Sequence, residues 1–231
     1  MRKAIMSAFL AVGLLTVSGG MLLRAQEGPA AGLASGVAEN SAKLKQYTFK
    51  QKVEVYMKGE LRKTSVSQVR YDSTRQRVAT PIASPDEEAS ARGGGRRGGM
   101  LARRVAEKKE EMKDYIERMI GLMGQYLPPN ADKIKSDISR AEFSMPESGE
   151  AKVTIPNYLK QGDSLSMTFN REEKRLSTIN INSKLDDDPI TVAVNFQRLP
   201  NQGPNYPAMT NVNSPAKNIE LRISTYDYQK Q

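Results

Sequence analysis

The chain of 231 residues contains no cysteine and no histidine. Without cysteine there are no disulfides, so the fold must be held by its own core. The thiol at which bacterial lipoproteins are processed is missing as well, which excludes lipid anchoring of that kind. The joint absence of histidine and cysteine removes most metal sites, catalytic triads and thiol chemistry. Ser–Lys dyads and carboxylate pairs survive on composition, but nothing in the sequence sets a nucleophile beside a base. The expectation is a protein that is not an enzyme and takes no cofactor and no metal. Aromatic residues are also scarce, at 6%, and none lies between Tyr71 and Tyr115.

What is present begins with an export signal. Arg2 and Lys3 precede an apolar stretch from Ala4 to Leu23, and Arg24, Ala25 and Gln26 follow it. This is the layout of a secretory signal peptide, cleaved near Ala25, and it places the mature chain in the periplasm. An uncleaved anchor is the alternative, since the run approaches the roughly 20 residues that span a bilayer. Ser7, Ser18, Gly19 and Gly20 argue against it. The expected organisation is residues 1–25 as signal and 26–231 as one domain. Within that domain, 83–100 is a loop and 101–140 a helical insertion.

Periodicity supplies the fold class. A short helix is expected over Gly32–Gln46, with Leu33, Val37 and Leu44 on one side. In YTFKQKVEVYM, Tyr47, Phe49, Val53, Val55 and Met57 alternate with Lys50, Lys52 and Glu54, the signature of a sheet with one buried face. Gln51 interrupts the apolar face. Lys58-Gly59 turns the chain, and ELRKTSVSQVRYD returns as a second strand. Its apolar phase shifts between Val66 and Val69, indicating a bulge or bend. A third strand includes Arg77 to Ile82. After the loop, Met112, Ile116, Met119, Ile120 and Met123 fall on one helical face, with Tyr115 and Leu122 at its edge. Gly121, Gly124 and Pro128-Pro129 then end that helix, and a second one spans Asn130–Ser139. From there AKVTI, SLSMTFN, RLSTININS, PITVAVNFQRL, YPAMTNVN and NIELRISTYDY read as strands of an antiparallel meander. The class is α+β: a curved antiparallel sheet, or half-barrel, with a central helical lid inserted.

The strand YTFKQKV resembles a motif close to SFxQKV in periplasmic lipoprotein carriers of the LolA/LolB type, carried here by Phe49, Gln51, Lys52 and Val53. Gly59-Glu60-Leu61 resembles the returning strand of the same family. The chain also looks like an uncharacterised group of exported bacterial proteins with a basic segment before the central helix and a closing YDYQK. No residue matches the family's ligand-gating arginine, so no such role is carried over. The resemblance implies a half-barrel under a helical lid, with acyl chains held between them. Phe49, Val53, Val55, Met112, Ile116, Met119, Met123 and Phe169 would then line the cavity. Without a lid, the same methionine face completes a closed core, which is the commoner use of such a face.

Charge offers a second candidate surface. The net charge is +9, and much of it sits from Arg92 to Lys113. Nucleic-acid binding by an Arg/Gly tract calls for interleaved stacking aromatics, which are missing, and an exported chain seldom meets RNA. No nucleic-acid partner is expected. The tract is a solvated connector, or it docks on an anionic membrane surface through Arg92, Arg96, Arg97, Arg103 and Arg104, each contributing about 1 kcal/mol. Asp186-Asp187-Asp188 precedes Pro189 and reads as a turn rather than a calcium loop. The expected function is binding and carriage of a lipid or lipidated protein by a monomer. The alternative is an envelope scaffold or assembly accessory that grips a protein partner or an anionic surface.

Overall fold

The apolar positions that alternate along each strand meet their counterparts across the sheet. The computed structural model describes residues 29–83, 99–145, 149–173 and 175–231. In chain order these form α1 (Pro29–Leu44), β1 (Tyr47–Met57), β2 (Glu60–Tyr71), β3 (Arg77–Ala83), α2 (Gly99–Tyr126) and α3 (Ala131–Asp137). The strands β4 (Glu142–Ser144), β5 (Glu150–Pro156), β6 (Ser164–Asn170), β7 (Arg175–Leu185), β8 (Asp188–Arg198), β9 (Asn205–Ser214) and β10 (Ile219–Lys230) follow. All ten strands share one sheet in the order β3-β2-β1-β10-β9-β8-β7-β6-β5-β4. Every neighbour is antiparallel. The sheet does not close, and ten strands is the size at which a twisted open sheet curls.

Sequence order and spatial order agree except at one seam. The C-terminal strand β10 pairs with β1, so the first hairpin is joined to the last strand. Register then aligns a single apolar row, Ile155–Leu165–Ile181–Val192–Val212–Leu221–Val55, across seven strands. All seven side chains are buried in one cluster. A one-residue slip of any strand would turn its member of this row to the opposite face, which is why the register is fixed. The phase shift read in the second strand is present: β2 and β3 change register between Val66 and Ser67. Gln51, the odd polar residue on β1, accepts a hydrogen bond from Arg77 of β3.

The helices lie on the buried face. Ala34 of α1, Tyr115, Met119 and Tyr126 of α2 and Ile134 of α3 belong to the same cluster as the sheet row. Helix α2 does not stop at its glycines. It runs through Gly121 and Gly124 to Tyr126, just before Pro128-Pro129. Glycine in a helix interior costs about 1 kcal/mol relative to alanine. Burial of Met119 and Tyr126 on either side of the pair outweighs that. Asn130 caps α3, its side chain accepting from Lys133 N–H at 2.9 Å. The short edge strand β4 carries too little alternation to be read from sequence.

Candidate functional site

Helix α2 brings the methionines onto the sheet. Met119 is fully buried, and Met112, Ile116 and Met123 pack half-buried around it. On the sheet side Val55 is buried in the same cluster and Phe169 packs against it. Six of the eight predicted lining residues are therefore brought together. The other two stand apart. Val53 is half-buried between Ile223 of β10 and Ser65 of β2. Phe49 is buried in a separate aromatic group, stacked on Tyr228 with centroids 4.8 Å apart, and Tyr228 meets Tyr206 at 4.5 Å. Burial pushes the Tyr228 phenol up, and its hydroxyl bonds Thr225 Oγ1 at 2.8 Å.

Two tyrosines hold α2 in place, and they follow from the physics of a phenol on an apolar face. The ring packs well, but a buried hydroxyl needs a partner. Tyr115 donates to Asp188 at 3.0 Å and lies 2.8 Å from Ser214 Oγ. Tyr126 donates to Asp163 and lies 2.9 Å from Ser183 Oγ. Each hydroxyl thus sits between one carboxylate and one serine at the end of a hairpin. Burial first, and the Asp163 carboxylate second, push the Tyr126 phenol up to about 12. Burial also raises Tyr115, with Ser214 opposing and Asp188 adding. Asp163 is 4% exposed and additionally accepts the backbone N–H groups of Leu159 and Lys160 at 3.1 and 3.0 Å.

The triple aspartate is more than a turn. Asp186 takes the left-handed conformation at φ 55°, as a tight hairpin demands. Its carboxylate also accepts both 2.9 and 3.2 Å bonds from Arg118 of α2. Asp188 bonds Tyr115 and pairs with Lys217 at 3.4 Å. The hairpin end therefore grips the helix. Among the described residues, no group of three or more acidic side chains is placed to hold a metal ion. Sequence reasoning placed Tyr115 at the edge of the face and missed Tyr126, Asp163, Ser183 and Ser214. The available signal was a second tyrosine about three helical turns beyond the first.

The basic candidates divide. Arg92, Arg96 and Arg97 lie outside the described residues. Arg103 and Arg104 are exposed on α2, and Arg103 pairs with Glu107 at 3.2 Å. Every residue from Arg103 to Glu111 is exposed, including Val105 at 60%. Burial on this helix begins at Met112 and Tyr115.

A surface cavity of about 430 Å³ lies elsewhere, lined by residues of the β1–β2 and β9–β10 turns. None of the predicted lining residues borders it.

No protein-family model and no curated protein matches the chain. Two solved structures resemble it over most of its length. One is a DUF1329 family protein from Desulfovibrio piger, at 6% identity and a TM-score of 0.44, covering 87% of this chain and 92% of that one. The other is a LolA superfamily protein from Nitrosomonas europaea, at 9% identity and a TM-score of 0.40, covering 86% of this chain and 93% of that one.

Proposed function

We propose that the chain is an exported, non-enzymatic carrier of a lipid or a lipidated protein. Helix α2 acts as its lid, and the acyl chain lies between lid and sheet. The observation that carries this reading is the seating of α2. A methionine-rich face lies on the apolar sheet, while among the described residues the polar grip on it comes from Tyr115, Arg118 and Tyr126. Methionine adapts to irregular apolar partners, so the layer can repack around an inserted chain. A dozen methylenes moved out of water are worth on the order of 10 kcal/mol at about 0.8 each. The hydrogen bonds at the tyrosines are worth about 1 kcal/mol apiece. An acyl chain can therefore displace the grip at a net gain. Residues 1–25 would direct the chain to the periplasm, and Val55 and Phe169 would form the sheet side of the site.

Native mass spectrometry of mature protein taken from the periplasm, with displacement of a fluorescent fatty acid, tests the reading. A retained lipid mass and displaceable probe are expected. A bare mass with no displacement of any acyl probe overturns it.

A second reading is favoured by the exposed, charged start of α2. This segment projects past the anchored part of the helix and would dock on an anionic membrane surface through Arg103 and Arg104, together with Arg92, Arg96 and Arg97. Replacing these five with Ser should weaken binding to anionic vesicles; unchanged binding sinks the idea.

A further inference from the structure

The face of the sheet opposite the helices carries its own pattern. Register places Ser164, Asn182, Thr191 and Asn213 in one row across β6 to β9. The next row is Ser166, Asn180, Ala193 and Asn211, and the one after is Thr168, Thr178, Asn195 and Met209. In a chain that is 26% charged, these three rows hold no charged side chain. Asn180, Asn182, Thr191, Asn195 and Asn213 are exposed there. The first row continues through Glu220 of β10 to Tyr56 of β1, and both of these line the 430 Å³ cavity together with Asn213, Asn218, Lys58 and Ser214.

At the cavity end two hairpin turns meet. Lys58 and Gly59 both sit at positive φ, 53° and 80°, the backbone that a two-residue hairpin turn requires. Lys58 N–H donates to the Asn218 carbonyl at 2.8 Å, tying the two hairpin ends together. Glu220 is neutralised by Arg222 at 2.7 Å, and the guanidinium lies 4.4 Å from the Tyr56 ring centroid. Among the described residues, the side chains of Lys58, Asn213 and Asn218 have no partner. Each amide offers both donors and acceptors.

We propose that this cavity and the row leading from it form a binding site for a linear, uncharged glycan. Sugar hydroxyls are donors and acceptors at once, and the amides of Asn213 and Asn218 match them in both senses. Tyr56, braced by Arg222, supplies a planar wall for a sugar ring. Strands lie about 4.8 Å apart, so the polar groups along Tyr56–Glu220–Asn213–Thr191–Asn182–Ser164 recur at intervals comparable to the length of one sugar residue. An uncharged ligand fits the strip from β6 to β9, whose three rows hold no charged side chain, while at the cavity Glu220 is already paired with Arg222 and Lys58 is left as a hydrogen-bond donor. The row of polar groups lies on the face opposite α2, and the proposal stands independently of the acyl-chain reading; of the cavity lining, Ser214 and Ile219 belong to the helix side.

Backbone amide NMR of the full mature chain, titrated with maltohexaose, cellohexaose and laminarihexaose, tests this. At least one probe should shift signals confined to Tyr56, Lys58, Asn213, Asn218 and Glu220 and to the adjoining row. Asn213→Ala and Asn218→Ala should each weaken that binding about tenfold, the worth of one well-made hydrogen bond, with thermal stability unchanged. Silence with all three probes overturns the proposal. So does concentration-dependent dimerisation through this face that Asn213→Arg abolishes.

Discussion

The Tyr126 hydroxyl donates to the Asp163 carboxylate on the same helix face from which Tyr115 donates to Asp188. The two contacts are alike in chemistry and unlike in burial. Asp163 is 4% exposed and one of its oxygens has no partner, whereas Asp188 is half-buried and also paired with Lys217. Loss of the Tyr126 hydroxyl leaves Asp163 Oδ2 its two backbone donors but removes a hydrogen bond to a buried carboxylate, worth about 1.5–3 kcal/mol, while a solvated acceptor recovers water. Tyr126→Phe should therefore destabilise the fold by about 1.5–3 kcal/mol in urea unfolding, and Tyr115→Phe by less. Equal losses would refute this ordering.

Tyr126 also sets an alkaline limit. Its phenol ionises near pH 10 unfolded and about 12 folded. Between these values the folded chain holds a proton that the unfolded chain has lost, so stability falls as pH rises. The contribution is complete below about pH 10 and gone above about 12. Wild-type stability should decline more steeply across that window than that of Tyr126→Phe, followed by circular dichroism with tyrosinate absorbance. Parallel curves would show that Tyr126 does not titrate with unfolding.

Gly121 and Gly124 lie inside α2, and an added Cβ at either meets no atom within 4 Å. Alanine there removes backbone freedom from the unfolded chain without a clash. Gly121→Ala and Gly124→Ala should each raise stability by about 0.5–1 kcal/mol. If α2 must bend or lift at this point during ligand exchange, the double variant should also slow uptake of an acyl probe measured by stopped flow.

Legibility in the sequence followed the kind of force involved. β1 emerged with its observed bounds because strict alternation and a two-residue turn are local signals, and β6 did so because Leu165, Met167 and Phe169 alternate as strictly. The methionine face of α2 was equally plain. What periodicity could not carry was long-range pairing. The β10–β1 seam joins opposite ends of the chain, and Phe49 meets Tyr228 rather than the methionines because a bulge at Asp227, φ 56°, resets the phase of β10. The partners of Tyr115 and Tyr126 were hidden likewise, since Ser214 and Asp163 reach them only through the fold. The glycine pair misread as a helix end shows that burial of neighbours overrides propensity.

Met119 separates a closed core from a layer that opens. It is fully buried among sheet and helix side chains, so Met119→Ala should cost about 2–5 kcal/mol through lost burial and a residual void. Val105→Ala, at a 60% exposed position on the same helix, should stay within about 0.5 kcal/mol. The two readings diverge when a long-chain fatty acid is added. A ligand that binds only the folded state stabilises it by mass action. If the layer admits acyl chains, the void left by Met119→Ala enlarges their site, and the fatty acid should restore part of the lost Tm. If the layer is a sealed core, melting curves of the variant with and without fatty acid should superimpose, while Met119→Ala remains as destabilised as its burial requires.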